Sequence, residues 1–109
     1  MQLILSKTGV QALWHCLQTV QPKGRTEIRN HAKVTRAIKT QCTEGTDQSF
    51  KEKSEMELDE DRIKYVTESA RELVNKGVPG GVAEGYDELL DAIDAAEKTA
   101  EKKPAADKK

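Results

Sequence analysis

The chain has 109 residues, with 18 basic and 19 acidic side chains and a formal net charge of -1; 36% of it is hydrophobic and 4% aromatic. That length holds one domain, or one small domain with a tail, and excludes a two-domain enzyme or a large cofactor fold. A mean hydropathy of -0.74 and the lack of any long apolar run exclude a spanning helix.

The chain opens on a short apolar run, Leu3-Ile4-Leu5, too brief for the h-region of a signal peptide and suited to a strand over residues 2–5. A first helix follows over about residues 7–20. Val10, Leu13, Trp14, Leu17 and Val20 recur at helical spacing, Ser6 or Thr8 is placed to cap its start, and Pro22 and Gly24 follow its end.

A second helix is expected over about 25–41, with Thr26 as its cap and Ile28, His31, Val34, Thr35 and Ile38 on its buried face. Residues 42–53 are poor in apolar side chains and read as a loop free to move. Within 50–58, polar and apolar residues alternate well enough for a strand, most clearly over 55–58.

The third helix is expected over 60–76, with Asp59 as its N-cap, a stripe of Ile63, Val66, Ala70, Leu73 and Val74, and Gly77 as its left-handed terminator. Tyr65 lies opposite that stripe, on the exposed side. The fourth helix, over about 82–98, buries Val82, Tyr86, Leu89, Leu90, Ile93 and Ala96, while Gly85 weakens its first turn. Residues 1–101 form the domain, and 102–109, polar and broken by Pro104, read as a disordered tail.

A weak repeat underlies this order. Leu5-Ser6 before the first helix matches Leu58-Asp59 before the third, an offset of 53 residues, and each half reads strand, capped helix, turn, second helix. Shared local geometry accounts for the match as well as shared ancestry does. Two short strands need each other and a helical cover. The expected fold is therefore mainly α-helical α+β, four helices with a short two-stranded antiparallel ribbon. An all-α bundle is the alternative. An exposed ribbon edge or an apolar helix seam would serve a homodimer.

The most site-like feature is the second helix. Arg25, Arg29, Lys33, Arg36 and Lys39 fall within an arc of about 120°, at 100° per residue. Three readings compete: a solvated face matched by acids elsewhere in the fold, a row of contacts to nucleic-acid phosphates, and a face for an acidic protein surface. The arc holds no Asn or Gln to read base edges and no aromatic to stack, which weighs against sequence-specific nucleic acid.

Glu84, Asp87, Glu88, Asp91 and Asp94 form a secondary acidic surface on the fourth helix, without the alternating spacing of a calcium loop. His15, His31, Cys16 and Cys42 fit no zinc spacing, and Gly77-Val78-Pro79-Gly80-Gly81 lacks the Lys of a phosphate-binding loop. Both cysteines are expected as free thiols in a cytoplasmic protein.

No catalytic residue, metal or cofactor is assigned. The expected function is that of a non-catalytic interaction or regulatory protein, of the kind found as accessories in bacteriophages and mobile elements. It would bind a protein partner through a charged helix face, with nucleic acid as the alternative and no membrane partner.

Overall fold

The computed structural model describes residues 2–46 and 49–107, with 99–107 described by backbone alone. Its elements run β1 (Gln2–Ser6), α1 (Lys7–Thr19), α2 (Gly24–Gln41), β2 (Thr43–Glu44), β3 (Ser49–Phe50), β4 (Lys53–Glu57), α3 (Glu60–Lys76) and α4 (Gly80–Asp107). β1 and β4 form an antiparallel ribbon in which Leu3 faces Met56 and Leu5 faces Ser54. These four side chains point inward and are buried, whereas Gln2, Ile4, Lys53, Glu55 and Glu57 point outward. That ladder excludes the all-helical alternative, and the fold is the mainly helical α+β arrangement the patterning predicts.

The strand expected over 50–58 changes partner part-way. Phe50 pairs with Thr43 in the second, minimal hairpin, and the Lys51 N–H donates to the Cys42 carbonyl at 2.9 Å. Two residues on, the Glu52 carbonyl accepts from the Lys7 N–H at 3.0 Å and the chain joins β1. The segment read as a loop thus contains a pair of two-residue strands. Asp47 and Gln48, within that segment, lie outside the described residues.

Helix ends follow their local chemistry. Ser6 Oγ accepts from the Gly9 N–H at 3.1 Å and caps α1, and Asp59 accepts from the Arg62 N–H at 3.1 Å and caps α3. Gly77 takes φ +103° and donates to the Leu73 and Val74 carbonyls, ending α3. The cap expected at Thr26 is displaced. Gly24, at φ +81°, turns the chain earlier, so Lys23 becomes the N-cap and Thr26 lies inside α2. α4 begins at Gly80, two residues before the expected start. Its backbone also runs through 102–107, part of the segment read as a tail, in spite of Pro104. Lys108 and Lys109 lie outside the described residues.

The core joins all the long elements. Leu3, Leu5, Val10, Leu13, Cys16, Val34, Ile38, Met56, Val66, Leu89 and Ile93 are fully or almost fully withdrawn from solvent. The two halves interlock: α4 packs on α1, and α2 packs on α3. Each half's second helix also lies beside the other half's strand, α4 along β1 and α2 along β4. The α1–α4 contact is so close that a Cβ on Gly85 would sit 2.5 Å from the Thr8 carbonyl oxygen. That approach, and not helix propensity, explains the glycine. Among the described residues no helix is long and apolar enough to cross a membrane.

Candidate interaction surface

α2 is amphipathic by charge. Val34 and Ile38 are buried under α3 and β4, and His31 sits at the edge of the contact, its Nδ1 2.8 Å from the Tyr65 hydroxyl. On the opposite side Arg25, Arg29, Lys33, Arg36 and Lys39 are all exposed. None of the five makes an ion pair among the described residues. At about 1.5 Å rise per residue, they span about 21 Å of helix.

The first two turns of α2 stand clear of the core. Every residue from Gly24 to Arg29 is exposed, and Ile28, expected on the buried face, is 54% accessible. Across from this end α3 leaves an open groove instead of a packed contact, so the apolar stripe runs beyond its cover. The Lys23 N–H, which no capping side chain at its own position could serve, is taken by Glu27 Oε1 at 2.9 Å.

Between this projecting end and α3 lies a polar groove of about 460 Å³. Its walls alternate in charge: Arg29, Arg62 and Lys64 against Glu27, Asp61 and Glu68, with Asn30, Thr26 and Tyr65 between them. Tyr65, expected on the exposed side, is half-buried here because α2 leans over it and His31 claims its hydroxyl. At the groove's end the Arg62 guanidinium binds Asp59 and holds that carboxyl below its usual range, with Lys33 adding a weaker pull.

The acidic surface is partly committed to the fold. Glu88 Oε2 accepts from Ser6 Oγ at 2.7 Å, tying α4 to the cap of α1. Arg71 reaches Asp94 at 3.4 Å and Glu97 at 2.9 Å, tying α3 to α4. Glu84, Asp87 and Asp91 are exposed and make no ion pair among the described residues. The α4 surface is therefore broken into structural and free acids, whereas the α2 face makes no ion pair among the described residues, Lys33 meeting Asp59 only through a weaker, longer-range attraction.

The remaining candidates are structural. Cys16 and Cys42 are buried free thiols. Burial pushes the Cys16 thiol up to about 12 and raises that of Cys42 as well, so neither supplies a thiolate. His15 and Cys16 both meet the Tyr86 hydroxyl, the His15 Nδ1 at 2.8 Å. Each helix pair that joins the halves thus carries one His–Tyr hydrogen bond, a pairing that sequence spacing alone does not reveal. Among the described residues no three His, Cys, Asp or Glu side chains are placed to hold a metal ion. Gly77, Val78 and Pro79 form the turn between α3 and α4, with Val78 packed on the core, and Gly80 and Gly81 open α4. Comparison with protein-family models, with curated proteins and with solved structures finds no match to this chain.

Proposed function

We propose that this chain is a non-catalytic interaction module that seats the basic face of α2 on an acidic surface of a protein partner. The observation that carries the reading is the set Arg25, Arg29, Lys33, Arg36 and Lys39, all exposed and none in an ion pair among the described residues. A cation row held in ion pairs by acids of its own fold would be a solvated surface; a row without such pairs is available to a partner. Rim charges of this kind speed association and select partners more than they add affinity.

The groove beside the face favours protein over nucleic acid. Glu27, Asp61 and Glu68 border it next to Arg29. A phosphate backbone crossing there meets like charge, whereas a protein surface can answer each sign with its opposite. Ile28, exposed beside Arg25 and Arg29, adds an apolar contact that phosphates cannot use.

The test is a pull-down from the native cell with the intact chain and with Arg29→Glu/Lys33→Glu/Arg36→Glu, run beside a mobility-shift assay on DNA and RNA at low salt. A defined protein complex that the triple variant loses, with unchanged circular dichroism, supports the reading. A complex that survives the reversal sinks it. A nucleic-acid shift that weakens steeply with salt and vanishes in the variant replaces it with the phosphate reading.

A further inference from the structure

We infer that β1 is a self-pairing edge and that two copies of this chain join through it, antiparallel about Ile4, into a four-stranded sheet. The ribbon has two outer edges, and the fold treats them differently. Glu52 and Lys7 exchange a ladder bond, and the register pairs Ser54 with Leu5 and Met56 with Leu3. By the alternation of antiparallel ladders, the backbone groups of Gln2, Ile4 and Ser6 on one strand, and of Glu55 and Glu57 on the other, point outward.

On β4 the outward edge is occupied at Glu57, and Glu55 between Lys53 and Glu57 gives the rest of it a charged flank. The Gln41 side chain accepts from the Glu57 N–H at 2.7 Å and donates to the Glu57 carbonyl at 3.3 Å, as a neighbouring strand would. On β1 the Ile4 N–H and carbonyl have no hydrogen-bond partner among the described residues. Edge strands are commonly protected by charge, proline or a bulge. Residues 2–6, Gln-Leu-Ile-Leu-Ser, carry none of these, and the Ile4 side chain is 52% accessible.

A second copy fits this edge by symmetry. Antiparallel pairing of Ile4 with its equivalent is an isologous contact, so the Ile4 N–H of each copy meets the Ile4 carbonyl of the other. The two Ile4 residues exchange two bonds. Gln2 and Ser6 face each other on either side; the Ser6 carbonyl belongs to α1 as its N-cap, so each of these pairs adds one bond from the Ser6 N–H.

The side chains agree. On the outward face the two Ile4 side chains become direct neighbours at a strand spacing of about 4.8 Å. Their flanking residues Gln2 and Ser6 are uncharged. In each flanking row Lys53 of one ribbon and Glu57 of the other stand at opposite ends, and Glu55 is separated from its equivalent by two intervening strands. No like charges are brought side by side.

Sedimentation velocity of the full chain over a rising concentration series tests this. The expected result is a weight-average mass that climbs from 12.1 kDa towards twice that value. Ile4→Lys sets two ammonium groups against each other on an exposed position and should hold the chain at one mass with unchanged circular dichroism. Ile4→Pro removes an outward N–H without touching a β1–β4 bond and should do the same; if it unfolds the chain, Ile4→Lys decides. A chain that stays at 12.1 kDa throughout overturns the inference, as does a dimer that survives Ile4→Lys.

Discussion

His31 shows how a single residue can be placed correctly by pattern and still carry a property that pattern cannot supply. Its spacing puts it at the edge of the apolar arc of α2; the structure adds the Tyr65 hydroxyl at 2.8 Å and a burial that lowers the imidazole pKa from 6.5. A lowered histidine pKa means that the unfolded chain binds the proton first. Stability from this site is complete above about pH 6.5, where the ring is neutral in both states, and falls as the pH drops below that value towards the folded pKa. The melting temperature should therefore be lower near pH 5.5 than near pH 7.5, a window above the ordinary titration of carboxylates. His31→Gln keeps a hydrogen-bonding partner for Tyr65 and should flatten that slope. An equal fall in the variant would show that the slope comes from other groups.

At the scale of elements, the close crossing of α1 and α4 separates two glycines that look alike in sequence. Gly85→Ala would gain about 1 kcal/mol of helix propensity, but its Cβ would lie 2.5 Å from the Thr8 carbonyl oxygen and 2.9 Å from the Ala12 Cβ. Backbone cannot yield as a flexible side chain does, and overpacking costs about 1–3 kcal/mol, so the variant should be destabilised. Gly81→Ala, with nothing within 4 Å and no positive φ, should be neutral or stabilised by up to about 1 kcal/mol. Urea midpoints of the two variants should move in opposite directions, or at least clearly apart.

The same contrast shows why some elements are legible and others are not. The extents of α1 and α3 follow from Ser6, Asp59 and Gly77, because capping is a bond between residues three or four apart. β2 and β3, two residues each, are too short to show a period. The split of the 50–58 strand depends on Cys42 and Lys7, which are remote in sequence. Ile28 and Tyr65 depart from their expected sides because periodicity gives the direction a side chain points, whereas what lies over it is decided by packing between helices.

For the whole molecule, the near-neutral charge is a sum of unlike parts. Residues 1–41 carry seven basic and one acidic side chain, and residues 42–109 carry eleven and eighteen. The basic arc of α2 was legible because it lies within one helix; the hydrogen bond from Ser6 and the ion pairs from Arg71 that tie up α4 acids were not, because those partners come from other elements. The unmatched arc has an energetic consequence. Arg25 and Arg29, Arg29 and Lys33, Lys33 and Arg36, and Arg36 and Lys39 are like charges three or four residues apart, each pair destabilising a helix by about 0.2–0.5 kcal/mol at low ionic strength. Arg36→Gln removes two of these pairs at an exposed position and keeps helix propensity. It should raise stability by about 0.4–1 kcal/mol in low-salt buffer. Because the repulsion is between exposed groups and is screened over about 10 Å at 0.1 M salt, the gain should shrink as salt is added and be nearly gone near 0.5 M. Chemical denaturation with urea, an uncharged denaturant, measures both values. A gain that persists at high salt would place its origin outside electrostatics. A loss on substitution would mean that Arg36 is matched within the fold, and the α2 face would no longer be a charge surface kept at the fold's expense.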